Sequence, residues 1–213
     1  ALPIWVFFDD QDRQVYLAML RKHSSLAGLS VMGYCLMPNH VHLVVVPPRE
    51  DSLALALGRA HLHYTQYFNQ RSRRSGHLWQ NRFYSAAMDE VHFWNAMVYV
   101  EQNPVRAGLC RSSLEYPWSS ARSHCGGHDP SGLLDLTRWR EWIGAATGTW
   151  EETLGVPLSI EDVEAVRHSV NLGRPLGPSE WLLEMEAQLG RKLQARPKGR
   201  PRKIGRASCR ERV

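Results

Sequence analysis

Two β-compatible segments, separated by one dipeptide, restrict how this chain can fold more than any other feature. Leu29 to Met37 is apolar, Pro38-Asn39 interrupts it, and His40 to Val46 resumes with a run of β-branched valines. A dipeptide of this kind between two such segments marks a turn. The sequence therefore predicts two adjacent strands, best arranged as a hairpin, and Pro47-Pro48 ends the second strand.

Helical patterns surround this hairpin. Apolar residues at helical spacing predict helices from Asp9 to about Ala27, from Asp51 or Ser52 to about Gln70, and from Asp89 to Pro104. His77 to Met88 is rich in aromatic residues and predicts a further strand. The order helix, strand, strand, helix, strand, helix predicts an α+β fold with helices packed on an antiparallel sheet.

The rest of the chain predicts a small helical region and a basic tail. Short amphipathic segments occur at Leu133 to Ile143, Ile160 to Val170 and Ser179 to Leu193. We divide the chain into a main domain at 1–125, a helical C-terminal region at 126–195 and a tail at 196–213.

Positive charge is concentrated towards the C-terminal end of the chain. The net charge is +5, and eight basic residues without an acid lie between Arg191 and Arg206. Such a run favours a polyanion such as nucleic acid, with a solvated tail as the alternative interpretation. Candidate DNA-contacting residues are Arg71, Arg73, Arg74, Arg82, Arg200, Arg202 and Lys203.

Several classes of protein are not indicated by the sequence. No apolar run approaches the roughly 18 residues that a membrane span needs, and the first residues lack the features of a signal peptide. The four cysteines contain no CxxC pair, so neither a zinc ribbon nor a disulfide scaffold is predicted. We therefore expect a cytoplasmic protein without a membrane partner.

The sequence His40-Val41-His42 is the first candidate site. Side chains two residues apart on a strand project from the same face, so both imidazoles can bind one metal ion. Two half-buried structural histidines are an equally good interpretation of this motif alone.

Tyr99 and Asn103 form the second candidate site, because residues four apart on a helix face the same way. Tyrosine, with a pKa of about 10, is a weak nucleophile unless a metal polarises the group that it attacks. Alternatively, Tyr99 is a core aromatic residue and Asn103 only ends the helix before Pro104.

Four strings in this order resemble the REP-associated tyrosine transposases, relatives of the small single-tyrosine transposases of the IS200-like family. They are YCLMPNHVHLVVVP, SGHLWQNRFYSAAMDE, YVEQNPVRAGL and YPWSSA, and the similarity extends from about Val6 to Ser123. The resemblance implies the HUH transposase fold, which is ferredoxin-like. It also implies that His40, His42 and Asn103 bind Mg²⁺ or Mn²⁺, and that Tyr99 attacks DNA.

The implied activity is that of a metal-dependent transposase. Such an enzyme cleaves single-stranded, hairpin-forming DNA through a 5′-phosphotyrosine intermediate and rejoins it, as a monomer or homodimer. The alternative is a domesticated, sequence-specific DNA-binding protein without cleavage activity. HVHLVVV also approaches the histidine-triad signature of nucleotide hydrolases, but Val44 stands where the third histidine is needed.

Both ends of the chain depart from the family pattern. Family members usually begin with a strand containing an HVTxRG-like string, so we expect that the first strand is missing here. Residues 204–213 resemble translated sequencing-adapter read-through, so we expect this segment to be non-native.

Overall fold

The computed structural model describes residues 5–80, 82–144 and 148–193, and within them the predicted hairpin is confirmed. Strand β1, Ser30–Met37, pairs antiparallel with β2, His40–Val46, and Met37 lies opposite His40. A β-bulge between Val31 and Gly33 shifts the register of β1. Among the described residues this is the whole sheet.

Helices account for most of the remaining structure. In chain order they are α1 (Asp10–Ala27), α2 (Ser52–Ser72), α3 (Glu90–Glu101), α4 (Asn103–Arg106), α5 (Ala121–His124), α6 (Leu136–Ile143), α7 (Trp150–Gly155), α8 (Ile160–Leu172) and α9 (Ser179–Leu189), with a 3-10 turn at Ser113–Glu115. The predicted α+β class is therefore confirmed. None of the helices in the described part of the chain is long and apolar enough to cross a membrane.

Local signals explain where the first helices begin and end. The side chain of Asp9 accepts a hydrogen bond from the backbone of Asp12 and so caps α1, which ends at Gly28 with a φ of 66°. Asp89 caps α3 in the same way, by accepting from the backbone of His92. These caps fall where the sequence predicts helix starts.

The hairpin lies between two hydrophobic clusters. On one face, Tyr34 and Leu36 of β1 pack with residues of α1 and α2 such as Tyr16 and Tyr64. On the other face, residues of the alternate parity, including Cys35 and Met37, pack with α3. Because β1 is buried on both faces, the hairpin is the middle layer of the fold.

Helix α3 packs closely on β1 at Gly33. A Cβ atom built on Gly33 would lie 2.7 Å from the terminal methyl carbon of Met97 on α3. A larger residue at this position would require the flexible end of the Met97 side chain to move, and the same helix carries Tyr99 two residues later.

The strand predicted at His77 to Met88 is wrong for the described residues 77–80 and 82–88. Apart from a single bridge between Met88 and Leu176, this stretch has no strand pairing. Its aromatic residues pack on helices instead: the ring of Trp79 stacks on His61 of α2, with ring centroids 4.2 Å apart. The segment has the residue composition of a strand, but no neighbouring strand pairs with it among the described residues.

The C-terminal helices pack on α3. Trp139 of α6, Trp150 of α7 and Val166 of α8 share one buried cluster with α3. Helix α6 begins three residues later than predicted, because Leu134 bridges to Val31 of β1 and Asp135 caps the helix. Helix α7 was not predicted, although Thr149 and Glu152 form a capping box at its start.

Arg200, Arg202 and Lys203 of the predicted DNA-contacting set lie outside the described residues.

Candidate active site at Tyr99 and His42

The histidine pair lies at the start of β2, and both side chains point towards α3. Nε2 of His40 and Nε2 of His42 are 2.9 Å apart. Nδ1 of His40 is 2.7 Å from Oδ1 of Asn39. Since a carboxamide oxygen only accepts, it fixes the proton of His40 on Nδ1 and leaves the lone pair of Nε2 available. The orienting role of Asn39 was not predicted from the sequence.

Both imidazoles are neutral near pH 7. Burial lowers the pKa of His42 to about 3, and the positive groups around it contribute in the same direction. Partial removal from water also lowers the pKa of His40. A neutral imidazole is the form that binds metals, because its lone pair is free.

Tyr99 of α3 meets this pair within the same chain. Its ring packs edge-to-face against the imidazole of His42, with centroids 5.7 Å apart and ring planes at 90°. The tyrosine is 7% exposed. The packing of α3 on the hairpin therefore brings Tyr99 of the second candidate site to His42 of the first.

Asn103 lies close to Tyr99 in sequence but not on the same helix. Helix α3 ends at Glu101, and Asn103 begins the short helix α4. Its Oδ1 accepts a 2.9 Å hydrogen bond from Nη2 of Arg106, and its Nδ2 is buried without a hydrogen-bond partner in the described structure. The prediction of one helix up to Pro104 is corrected in this respect.

Arg106 covers the tyrosine. Its guanidinium carbon lies 4.3 Å from the centroid of the Tyr99 ring, in a cation–π contact. The same group donates to the backbone oxygen of Tyr99. This residue was missed in the sequence, although it belongs to the YVEQNPVRAGL string and lies seven residues, about two helical turns, after Tyr99.

A second arginine approaches from the C-terminal helices. Nε of Arg167, on α8, donates to the hydroxyl oxygen of Tyr99 over 3.4 Å. No sequence signal links these residues, which are 68 positions apart.

Glu101 and Gln102 anchor this part of the chain to the C-terminal helices. The buried carboxylate of Glu101 accepts hydrogen bonds from Trp150 Nε1 at 2.8 Å, from His124 Nδ1 at 2.6 Å and from Ser120. Nε2 of Gln102 donates to the backbone oxygens of Leu154 and Val156. The position of Tyr99 therefore depends on α5 and α7.

A cavity of about 1280 Å³ runs along β2 beside this cluster. Its wall includes His40, His42 and Tyr99, so the candidate nucleophile and the histidine pair face one space. Its lining also includes several aromatic side chains, among them Trp79, Phe83, Tyr84, Trp94 and Trp142. Aromatic rings beside an accessible space suit the stacking of unpaired bases.

The predicted basic residues outside the tail differ in their surroundings. Arg71 forms ion pairs with Asp9 and Asp12, so its charge is already compensated within the fold. Arg73 and Arg74 are exposed where α2 ends, and Arg82 is exposed at the cavity. Of these four, only Arg82 lines the cavity that holds Tyr99.

Histidines, cysteines and carboxylates alone do not form a metal site here. In the described part of the chain, no group of three or more such side chains is arranged to hold an ion. A metal on the histidine pair would therefore need a ligand of another type, such as an amide oxygen.

Comparisons with known proteins find similarity to transposases. Residues 6–103, which include His40, His42, Tyr99 and Asn103, match the family model described as Transposase IS200 like. A Haemophilus influenzae protein that carries the name REP-associated tyrosine transposase is 29% identical over 101 residues, covering 42% of this chain and 57% of that relative. The chain thus spans a little over half of the length of this relative. No solved structure matches the chain significantly.

Proposed function

We propose that this chain, whose residues 6–103 match the family model described as Transposase IS200 like, cleaves and rejoins single-stranded DNA with Tyr99 as the nucleophile. The observation that carries this proposal is the edge-to-face contact between Tyr99 and His42. It brings a phenol hydroxyl and a pair of metal-binding nitrogens to the wall of one cavity.

The histidine pair fits a divalent metal. Ligands at right angles and about 2.1 Å from an ion are about 3 Å apart, and the two Nε2 atoms are separated by 2.9 Å. Two neutral imidazoles would hold Mn²⁺ or Mg²⁺ as part of a mixed site whose other ligands are oxygen atoms, because these ions prefer oxygen ligands. When bound, the metal supplies Lewis-acid polarisation of the scissile phosphate.

Asn103 is the third ligand in this proposal. Its Oδ1 already accepts from Arg106, but a carboxamide oxygen has two lone pairs and can accept a second contact. The hydrogen bond from Arg106 would then hold the amide of Asn103 in one orientation.

The chemistry is an exchange of phosphodiester bonds. The hydroxyl oxygen of Tyr99 forms a bond to phosphorus, the bond from phosphorus to the 3′ oxygen breaks, and the tyrosine proton is lost. The leaving 3′ oxygen takes up a proton, and the 5′ side of the strand stays linked to Tyr99. Attack by a 3′-hydroxyl on this link rejoins DNA, and no external energy source is needed because the number of phosphoester bonds is conserved.

The proposed partner is a single strand next to a hairpin. The aromatic side chains in the wall of the cavity could stack on unpaired bases, and Arg82, which also lines it, could contact the phosphates of the DNA backbone. Since Tyr99 and His42 of the same chain are in contact, we propose that a monomer contains one complete site and that a homodimer is not required.

Binding of DNA without cleavage is the second candidate function. It is favoured by the burial of Tyr99, which is 7% exposed and covered by the guanidinium of Arg106. Under this alternative, the tyrosine is a structural residue beneath a DNA-binding surface.

Incubation with hairpin-forming, single-stranded oligonucleotides and Mn²⁺ or Mg²⁺, followed by denaturing gels, separates the two functions. We expect a covalent protein–DNA species that needs the metal and is absent in Tyr99→Phe. Tyr84→Phe, which removes a hydroxyl from the same cavity, is the matched control and should still form it. Binding of DNA without any adduct would favour the second function.

A further inference from the structure

Two arginines converge on Tyr99 from different parts of the chain. Arg106 of α4 covers the ring, and Arg167 of α8 donates to the hydroxyl oxygen over 3.4 Å. Neither guanidinium forms an ion pair with a carboxylate among the described residues. Two uncompensated positive charges at a nucleophile are the electrostatic setting for an anion.

Hydrogen-bond donors without a partner in the described structure lie close to Tyr99. Nε and Nη1 of Arg106 and Nδ2 of Asn103 are buried, and in the described structure they have no hydrogen-bond partner. Buried donors are normally satisfied, because leaving one unpaired costs free energy. A phosphodiester, which carries several acceptor oxygens and a negative charge, would satisfy them.

The position of Arg167 is fixed by the packing of α8 on α3. Val166 is buried in the cluster that includes α3, and Nδ2 of Asn95 on α3 donates to Asp162 of α8 over 3.1 Å. Arg167 itself is exposed, so its contact with Tyr99 adds little to the packing of the fold. An exposed arginine held against a buried tyrosine is suited to a ligand.

We propose that Arg167, together with Arg106, binds the scissile phosphodiester against the hydroxyl of Tyr99, so that the C-terminal helices complete the active site. This inference rests on the proposed function and adds two residues that lie beyond the segment matched by the family model. Guanidinium groups keep their positive charge in proteins. They stabilise negative charge on the phosphoryl oxygens and on the attacking oxygen, while the bond changes are those already described.

The kinetic test is the single-turnover rate of adduct formation at saturating oligonucleotide and Mn²⁺. Arg167→Ala should slow the reaction about 100-fold, as expected for the loss of one donor to the reacting phosphate. Arg167→Lys should recover part of the rate, and added guanidinium should partly rescue Arg167→Ala. Arg140→Ala, which removes the same charge from an exposed position on α6, is the control and should react like the parent protein.

The second test measures binding without the reaction. In a Tyr99→Phe background and without metal, the logarithm of the affinity for a single-stranded oligonucleotide is plotted against the logarithm of salt concentration. Arg167→Ala should reduce the slope by about 0.7, the value for one phosphate contact, and Arg140→Ala should leave it unchanged.

The two tests separate this inference from the proposed function. If the parent protein forms no adduct but Arg167→Ala still reduces the salt slope, the phosphate site stands and the nuclease proposal fails. If Arg167→Ala forms adduct at the parental rate with an unchanged slope, the phosphate site is refuted and the nuclease proposal stands.

Discussion

Replacing Glu101 with alanine should destabilise the whole protein, because this side chain is the acceptor for three donors. The carboxylate is 0% exposed and receives hydrogen bonds from Trp150, His124 and Ser120. These donors come from α7, α5 and the residue before α5. Glu101 thus joins the helix of Tyr99 to the C-terminal helices.

The size of the effect follows from those contacts. Each buried donor left without an acceptor costs about 1–3 kcal/mol, and breaking one side of a buried pair costs about 3–5 kcal/mol. We expect Glu101→Ala to lower the free energy of unfolding by about 4 kcal/mol. Glu101→Gln should cost about 2 kcal/mol, because its amide oxygen still accepts while its amide N–H₂ faces the N–H of Trp150.

Equilibrium unfolding in urea, followed by tryptophan fluorescence, measures this difference. Glu141→Ala removes an exposed carboxylate from α6 and is the control, with an expected change within about 0.5 kcal/mol. A Glu101→Ala variant within about 1 kcal/mol of the parent protein would show that the three donors need no acceptor.

Three further predictions follow from individual contacts. Asn39→Ala should weaken Mn²⁺ binding about 10-fold or more without changing the unfolding midpoint, because His40 loses its orienting acceptor. Isothermal titration calorimetry measures the Mn²⁺ affinity, and an unchanged affinity would exclude the orienting role. Arg71→Ala should make the protein unfold at a higher pH during acid titration. The hydrogen bond from Arg71 lowers the pKa of Asp9 from 3.8 to about 2. The ionised Asp9 therefore stabilises the folded protein above about pH 4, and this stabilisation is lost as the pH falls towards 2. Acid titration by circular dichroism should therefore show earlier unfolding in that window, and coincident curves would contradict it. Gln102→Ala should speed amide hydrogen exchange at residues 154–158 rather than in α1, because two backbone oxygens lose their donor; uniform exchange would argue against a local anchor.

Local signals in the sequence were sufficient for the elements that position the site. Asp9 and Asp89 mark helix starts through caps made within three residues, and the dipeptide Pro38-Asn39 marks the hairpin. The two-residue period of a strand also correctly predicts that His40 and His42 project together. Each of these features is determined by residues that are close in sequence.

Features that depend on distant partners were not predictable. The strand expected at His77 to Met88 has the right composition, but pairing requires a neighbouring strand, and Trp79 stacks on His61 instead. Similarly, Tyr99 reaches His42 because α3 packs on the hairpin, and its partners there are distant in sequence. Arg167 reaches Tyr99 because α8 packs on α3, and no sequence motif predicts this packing.

Covalent linkage of Tyr99 to DNA is the step on which the proposed function depends. We would incubate the protein with a hairpin-forming, single-stranded oligonucleotide and Mn²⁺, digest it with nuclease and trypsin, and locate the nucleotide by fragmentation in a mass spectrometer. We expect a nucleotide phosphate on Tyr99, present only when metal was added. A nucleotide on another residue such as Tyr84, or bound DNA without any modified peptide, would contradict it.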